Sequence, residues 1–96
     1  MTRARTAAYR VLQTVVNGGN LPQALARNRD KLTDPRDRSL VTEITNGIFR
    51  WLAVLDYVIQ QATERPTNRI DSEVMTVLRL GVYQLLYLER VPASAA

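Results

Sequence analysis

The side chains of this sequence best suited to chemistry are its arginines. Twelve of the thirteen basic residues are arginine, Lys31 being the other. Nine of the thirteen fall in residues 1–50 beside four acids, so that half carries +5 while residues 51–96 carry −1. A guanidinium is planar, permanently charged and forked, so it grips phosphate oxygens in pairs and stacks on bases. An arginine-rich half is therefore compatible with RNA. The bland alternative also stands: a net charge of +4 is ordinary, and arginine usage can reflect a GC-rich genome. Covalent and acid–base chemistry have little to work with. The chain has no histidine and no cysteine, which removes the commonest general base, the commonest metal ligand and any disulfide framework. Asp56, Asp71, Glu73 and Glu89 form no carboxylate pair at metal-binding spacing. No catalytic and no metal-binding residue is expected.

Arg3, Arg5 and Arg10 lead the candidates for RNA contact. On a helix, Arg3 and Arg10 share the polar side while Arg5 lies on the other flank of the apolar stripe. A helix N-terminus adds unpaired N–H groups that suit phosphate. The competing reading is three solvated arginines on an amphipathic helix. Arg36 and Arg38 follow, but they stand beside Asp34 and Asp37 and could simply pair with them at a helix start; such exposed pairs stabilise little. Arg50 reads either as an RNA contact or as a residue facing a neighbouring domain. Trp51, Phe49 and the four tyrosines could stack on unpaired bases. Trp51, however, falls on an apolar stripe and reads as core. Tyr83 and Tyr87 read as packing residues whose hydroxyls reach polar partners. Arg79 interrupts the most apolar helix and needs a counter-charge, with Asp56 and Glu43 both open as partners.

The elements that must position these residues are all helical. Ala4, Ala7, Ala8, Val11, Leu12, Val15 and Val16 recur at helical spacing, which predicts a first helix over roughly Thr2 to Asn17. Asn17-Gly18-Gly19-Asn20 ends it. Asn20 can cap a short second helix, with Pro22 in its first turn, Gln23 completing a capping box, and Leu21, Ala24 and Leu25 inward. Asp34-Pro35 starts the next helix. From there Leu40, Val41, Ile44, Ile48, Trp51, Leu52, Leu55, Val58, Ile59 and Ala62 keep the period for about thirty residues, long enough to predict a bend or break near Gly47–Trp51. Glu64-Arg65-Pro66-Thr67 stops the run. The last full helix starts at Asp71-Ser72-Glu73 and ends near Glu89, with Val74, Val77, Leu78, Val82, Leu85 and Leu86 as its main stripe. Met75, Leu80, Tyr83, Tyr87 and Leu88 spread its apolar surface further. No segment alternates with period two, so no strand is expected. No signal peptide and no membrane span are read, and a cytoplasmic protein is the default.

The ordered set Asp37-Arg38, Gly47-Ile48-Phe49-Arg50, Leu55-Asp56, Leu78-Arg79-Leu80-Gly81 and Tyr83-Gln84-Leu85-Leu86-Tyr87 resembles the NusB-like RNA-binding domain. It is most similar to the version at the N-terminus of the bacterial ribosomal RNA 5-methylcytosine methyltransferases, the RsmB, Sun or Fmu family. Val91-Pro92-Ala93 matches the start of the next helix of that family, and the N-terminal "RARTAAYRVLQTVV" fits as well. The resemblance implies a single NusB-like domain over residues 1–96 whose last two helices are missing from this chain. It further implies a separate catalytic domain, acting in cis, that binds S-adenosylmethionine and supplies the catalytic cysteines. This chain alone is then non-catalytic, with no cofactor of its own. Free NusB, the transcription antitermination factor, is the alternative. A helical protein–protein module is the other: the incompletely covered 74–88 helix could bind the missing helices, the catalytic domain or a second copy.

Overall fold

The computed structural model describes residues 2–88, and every regular element among them is helical. The expected start of a further helix at Val91-Pro92-Ala93, and the expected helix end at Glu89, lie outside the described residues. Five α-helices run Arg3–Val16 (α1), Leu21–Asp30 (α2), Pro35–Arg50 (α3), Leu52–Thr63 (α4) and Ser72–Tyr83 (α5). A 3-10 turn, Thr67–Arg69, joins α4 to α5, and a single π-helical turn, Gln84–Leu88, continues α5.

The helix starts follow from their capping residues. The Thr2 hydroxyl accepts from Arg5 N–H at 3.3 Å, Asn20 Oδ1 from Gln23 N–H at 3.1 Å, and Asp34 Oδ1 from Arg36 N–H at 2.9 Å. Each satisfies one of the amide groups that a first turn leaves unpaired. Glu64 ends α4 in the left-handed region at φ 57°, two residues before Pro66.

α1 packs on α2, α3 and α5, and α4 packs chiefly on α5. The small side chains of Ala4, Ala7 and Ala8, all buried, let neighbouring helices approach α1 closely. Val11 and Leu12 of α1, Ala24 of α2, Val41, Ile44 and Ile48 of α3, Leu55 and Ile59 of α4, and Met75, Leu80 and Tyr83 of α5 complete the core. Thr45 and Thr76 are buried too, each with its hydroxyl bonded to the carbonyl four residues earlier, so neither is left unsatisfied. Thr76 also bonds the Gln13 carboxamide. No described helix is long and apolar enough to cross a membrane.

The expected break in the long third run falls at Trp51, which leaves the helical region at φ −107°, ψ 20°. Gly47 itself stays helical, and its role is a close approach: a Cβ there would lie 2.6 Å from Tyr83 Cε1 and nearer still to Cζ and Oη. The aromatic ring of α5 thus lies directly on the backbone of α3.

Two expectations are corrected. Trp51 is not core; it is 41% exposed. The break at Trp51 shifts the helical phase between α3 and α4, so a stripe counted as one continuous helix no longer holds at the junction. From α5 onward the main stripe holds only in part. Leu78 and Val82 are half-buried, Val74, Val77, Leu85 and Leu86 are exposed, and the residues that turn fully inward are Met75, Thr76, Leu80 and Tyr83. A helix apolar on most sides gives no single phase, and the ring of Tyr83 fitting Gly47 selects the side that turns inward.

Candidate nucleic-acid interface

Arg3 and Arg10 are both exposed and line one groove of about 350 Å³ where the first half of α1 meets the end of α2. Lys31, just past α2, is the third cation of that groove. The buried residues Ala7 and Asn28 form part of its lining, with Thr6 beside them. Asn28 Nδ2 donates to Ala24 O at 2.8 Å, which holds its carboxamide in place. None of the three cations has an acid within ion-pairing distance among the described residues, where the one ion pair is Arg79–Asp56.

A helix C-terminus beside such a groove would ordinarily oppose an anion, because its last carbonyls carry partial negative charge. Arg38 offsets this. Its Nη1 donates to Arg29 O at 3.0 Å and to Leu32 O at 3.4 Å, covering the end of α2 with a guanidinium. Arg38 therefore does not pair with Asp37 or Asp34, as its neighbours in sequence suggested. Arg36 is exposed and makes no ion pair among the described residues; the Asp34 carboxylate is taken by its backbone N–H instead.

The other candidates lie apart. Arg5 is half-buried on the flank of α1 facing α5, with Nε donating to Gln84 Oε1 and Nη1 to the Thr2 hydroxyl at 3.1 Å. Arg50 is exposed at the far end of α3 from Arg38, beside Trp51 and near the Tyr83 hydroxyl. Burial foremost, then the nearby Glu43 and Tyr87, raise the Tyr83 pKa above its ordinary value, and Arg50 partly offsets them. The Tyr83 hydroxyl reaches the Glu43 carbonyl at 3.5 Å.

The structure thus gathers two of the six candidate arginines, Arg3 and Arg10, and brings Arg38 to the adjoining end of α2. Lys31 and Asn28 were not singled out from the sequence. The legible signal was the basic run Arg27, Arg29, Lys31, but only the packing of α2 on α1 places Lys31 opposite Arg3 and Arg10. Arg79 takes Asp56 as its partner in a two-bond fork, Nε–Oδ1 2.8 Å and Nη2–Oδ2 2.9 Å, tying α5 to α4.

These features define an all-α helical domain with an unpaired cationic groove at the junction of its first two helices. The chain belongs to the NusB family, whose model matches residues 2–96. It is 39% identical over 93 residues to the ribosomal RNA small subunit methyltransferase B of Pseudomonas putida, covering 96% of this chain and 21% of that protein. A probable ribosomal RNA small subunit methyltransferase B of Synechocystis sp. is 42% identical over 62 residues, or 65% of this chain and 14% of that protein. The corresponding Escherichia coli protein is 36% identical over 90 residues, or 94% and 20%. The chain spans about a fifth or less of the length of these relatives. No solved structure gives a significant match.

Proposed function

We propose that this domain binds RNA, most specifically ribosomal RNA, and positions it for a methyltransferase domain acting in cis. The observation that carries the reading is the groove of Arg3, Arg10 and Lys31, three cations with no acidic partner among the described residues. Cations left unpaired around one concavity suit phosphate oxygens, which supply most of the sequence-independent affinity of such complexes. The kinship with ribosomal RNA methyltransferases supports ribosomal RNA as the class bound. Methyl transfer and S-adenosylmethionine would belong to a catalytic domain outside these 96 residues, and this chain would contribute no catalytic group. A cytoplasmic setting follows from that role.

The test is a binding titration with a ribosomal RNA fragment. The variant R3E/R10E/K31E should bind at least tenfold more weakly than the native chain. The control variant R65E/R69E should bind as the native chain does. Arg65 and Arg69 flank the loop before α5, at the opposite end of the molecule: Thr76 meets Gln13 near the end of α1, while Arg5 near its start meets Gln84. Equal weakening by both variants would leave only diffuse charge attraction and would refute the groove.

A second reading has its own support. Val74 and Val77 of α5 and Leu85 of the turn that continues it are 48%, 48% and 68% exposed, with nothing near the side-chain position of Gly81 between them. An apolar helix side of this kind suits a protein surface, in cis or on a second copy. Val77→Glu should abolish any concentration-dependent association seen by sedimentation; association that persists would place it elsewhere.

A further inference from the structure

Three aromatic rings run in a row from the core to the surface. Tyr83, 5% exposed, rests on Gly47. Tyr87 stacks on it with centroids 5.2 Å apart and planes 29° from parallel. Trp51 stacks on Tyr87 at 5.6 Å and 12°, and is itself 41% exposed. Tyr83 and Tyr87 stand one turn apart on the same run of helix, and packing between helices brings Trp51, from the α3–α4 junction, onto the pair. Tyr57 is more exposed, at 65%, but no ring stacks on it among the described residues.

The geometry points to Trp51 as a stacking platform for an unpaired RNA base. Three observations support it. The indole is held nearly parallel to a ring behind it, so little side-chain freedom remains to be lost when a base lands on its open area. A large aromatic surface left in water is also the kind of surface on which successive unpaired bases stack. Arg50, exposed and adjacent in sequence, has no ion pair among the described residues and supplies a cation for the phosphate of the stacked nucleotide. The platform stands apart from the groove: Arg50 and Trp51 lie at the far end of α3 from Arg38, which borders it. The inference rests on the RNA-binding reading above and adds a preference to it: single-stranded over duplex RNA, because a paired base has no free face.

Trp51 is the sole tryptophan, so its fluorescence reports the site directly. The titration uses a short single-stranded oligoribonucleotide and the same strand annealed to its full complement. The single strand should quench the Trp51 emission, and the duplex should leave it nearly unchanged. Trp51→Ala should weaken single-strand binding about 5- to 150-fold, the range for losing one base–aromatic stack. Trp51→Tyr should restore most of that affinity, and duplex binding should be the same in all three proteins. If W51A binds the single strand as tightly as the native chain, while R3E/R10E/K31E still loses affinity, the platform is refuted and the groove stands. If no RNA binds the native chain, both fall. Circular dichroism of W51A separates a lost stack from a lost fold.

Discussion

Gly47→Ala is the substitution whose effect the structure specifies most sharply. In the middle of a helix, alanine is ordinarily better than glycine by about 1 kcal/mol, because glycine loses more backbone freedom on folding. Here the new methyl carbon would stand 2.6 Å from Tyr83 Cε1 and closer still to Cζ and Oη, three atoms of a rigid ring. The ring has nowhere to go. It is 5% exposed, and Tyr87 is stacked on it. Overpacking of this kind costs about 1–3 kcal/mol, and expelling a buried aromatic about 3–5 kcal/mol. Taking about 3 kcal/mol for the clash and returning about 1 for helix propensity leaves a net loss near 2 kcal/mol. For a domain of this size that lowers Tm by about 8–16 °C. The assay is thermal unfolding by circular dichroism, with a double-mutant cycle to isolate the cause. Tyr83→Leu removes all three clashing atoms, so in that background Gly47→Ala should be neutral or raise stability by up to about 1 kcal/mol. A G47A chain as stable as the native one, or equally damaged in both backgrounds, would refute the contact between α3 and α5.

Other substitutions check separate parts of the account. Gly81→Ala is chemically the same change at a position with open space, and should stabilise by about 0.5–1 kcal/mol in urea unfolding. Asp56→Ala leaves the Arg79 guanidinium without its partner. Because the two side chains are 19% and 25% exposed, a loss of about 1–2 kcal/mol is expected, below that of a fully buried pair, and D56L/R79M should recover part of it. Tyr83 gives a pH dependence. Its pKa is raised in the folded state, so the native chain holds the proton more tightly than the unfolded one, and the associated stability is present below about pH 10 and lost as pH rises through the folded pKa. Tyr83→Phe should therefore show a shallower fall in Tm above about pH 10 than the native chain.

Much of the fold was legible because it rests on local signals. Asn20, Asp34 and Pro66 act within a few residues of themselves, and each helix boundary they mark is where the structure puts it. The buried residues of α1 and α3 repeat at a single period, so their inward sides could be counted. Two features could not. The α5 helix is apolar on most of its circumference, and what turns it is the fit of Tyr83 to Gly47, 36 residues earlier on α3. Trp51 keeps the period of its neighbours but sits at the one residue where the helix lapses, so the count fails there. The site was legible in part. The spacing of Arg3 and Arg10 placed them together on α1, whereas Lys31 joins them only through the packing of α2, and Arg38 turns to the carbonyls of α2 only because α3 folds back beside that end.

The central claim is that the groove at the junction of α1 and α2 holds RNA through phosphate contacts. Its most direct test is the slope of log affinity against log salt concentration for a single-stranded ribosomal RNA probe, measured for the native chain and for R3A/R10A/K31A. Each phosphate neutralised on a single strand contributes about −0.7 to that slope. Three groove contacts should therefore make the native slope steeper than the variant's by about 2. Parallel lines, with the variant slope equal to the native one, would mean that Arg3, Arg10 and Lys31 touch no phosphate and would contradict the account.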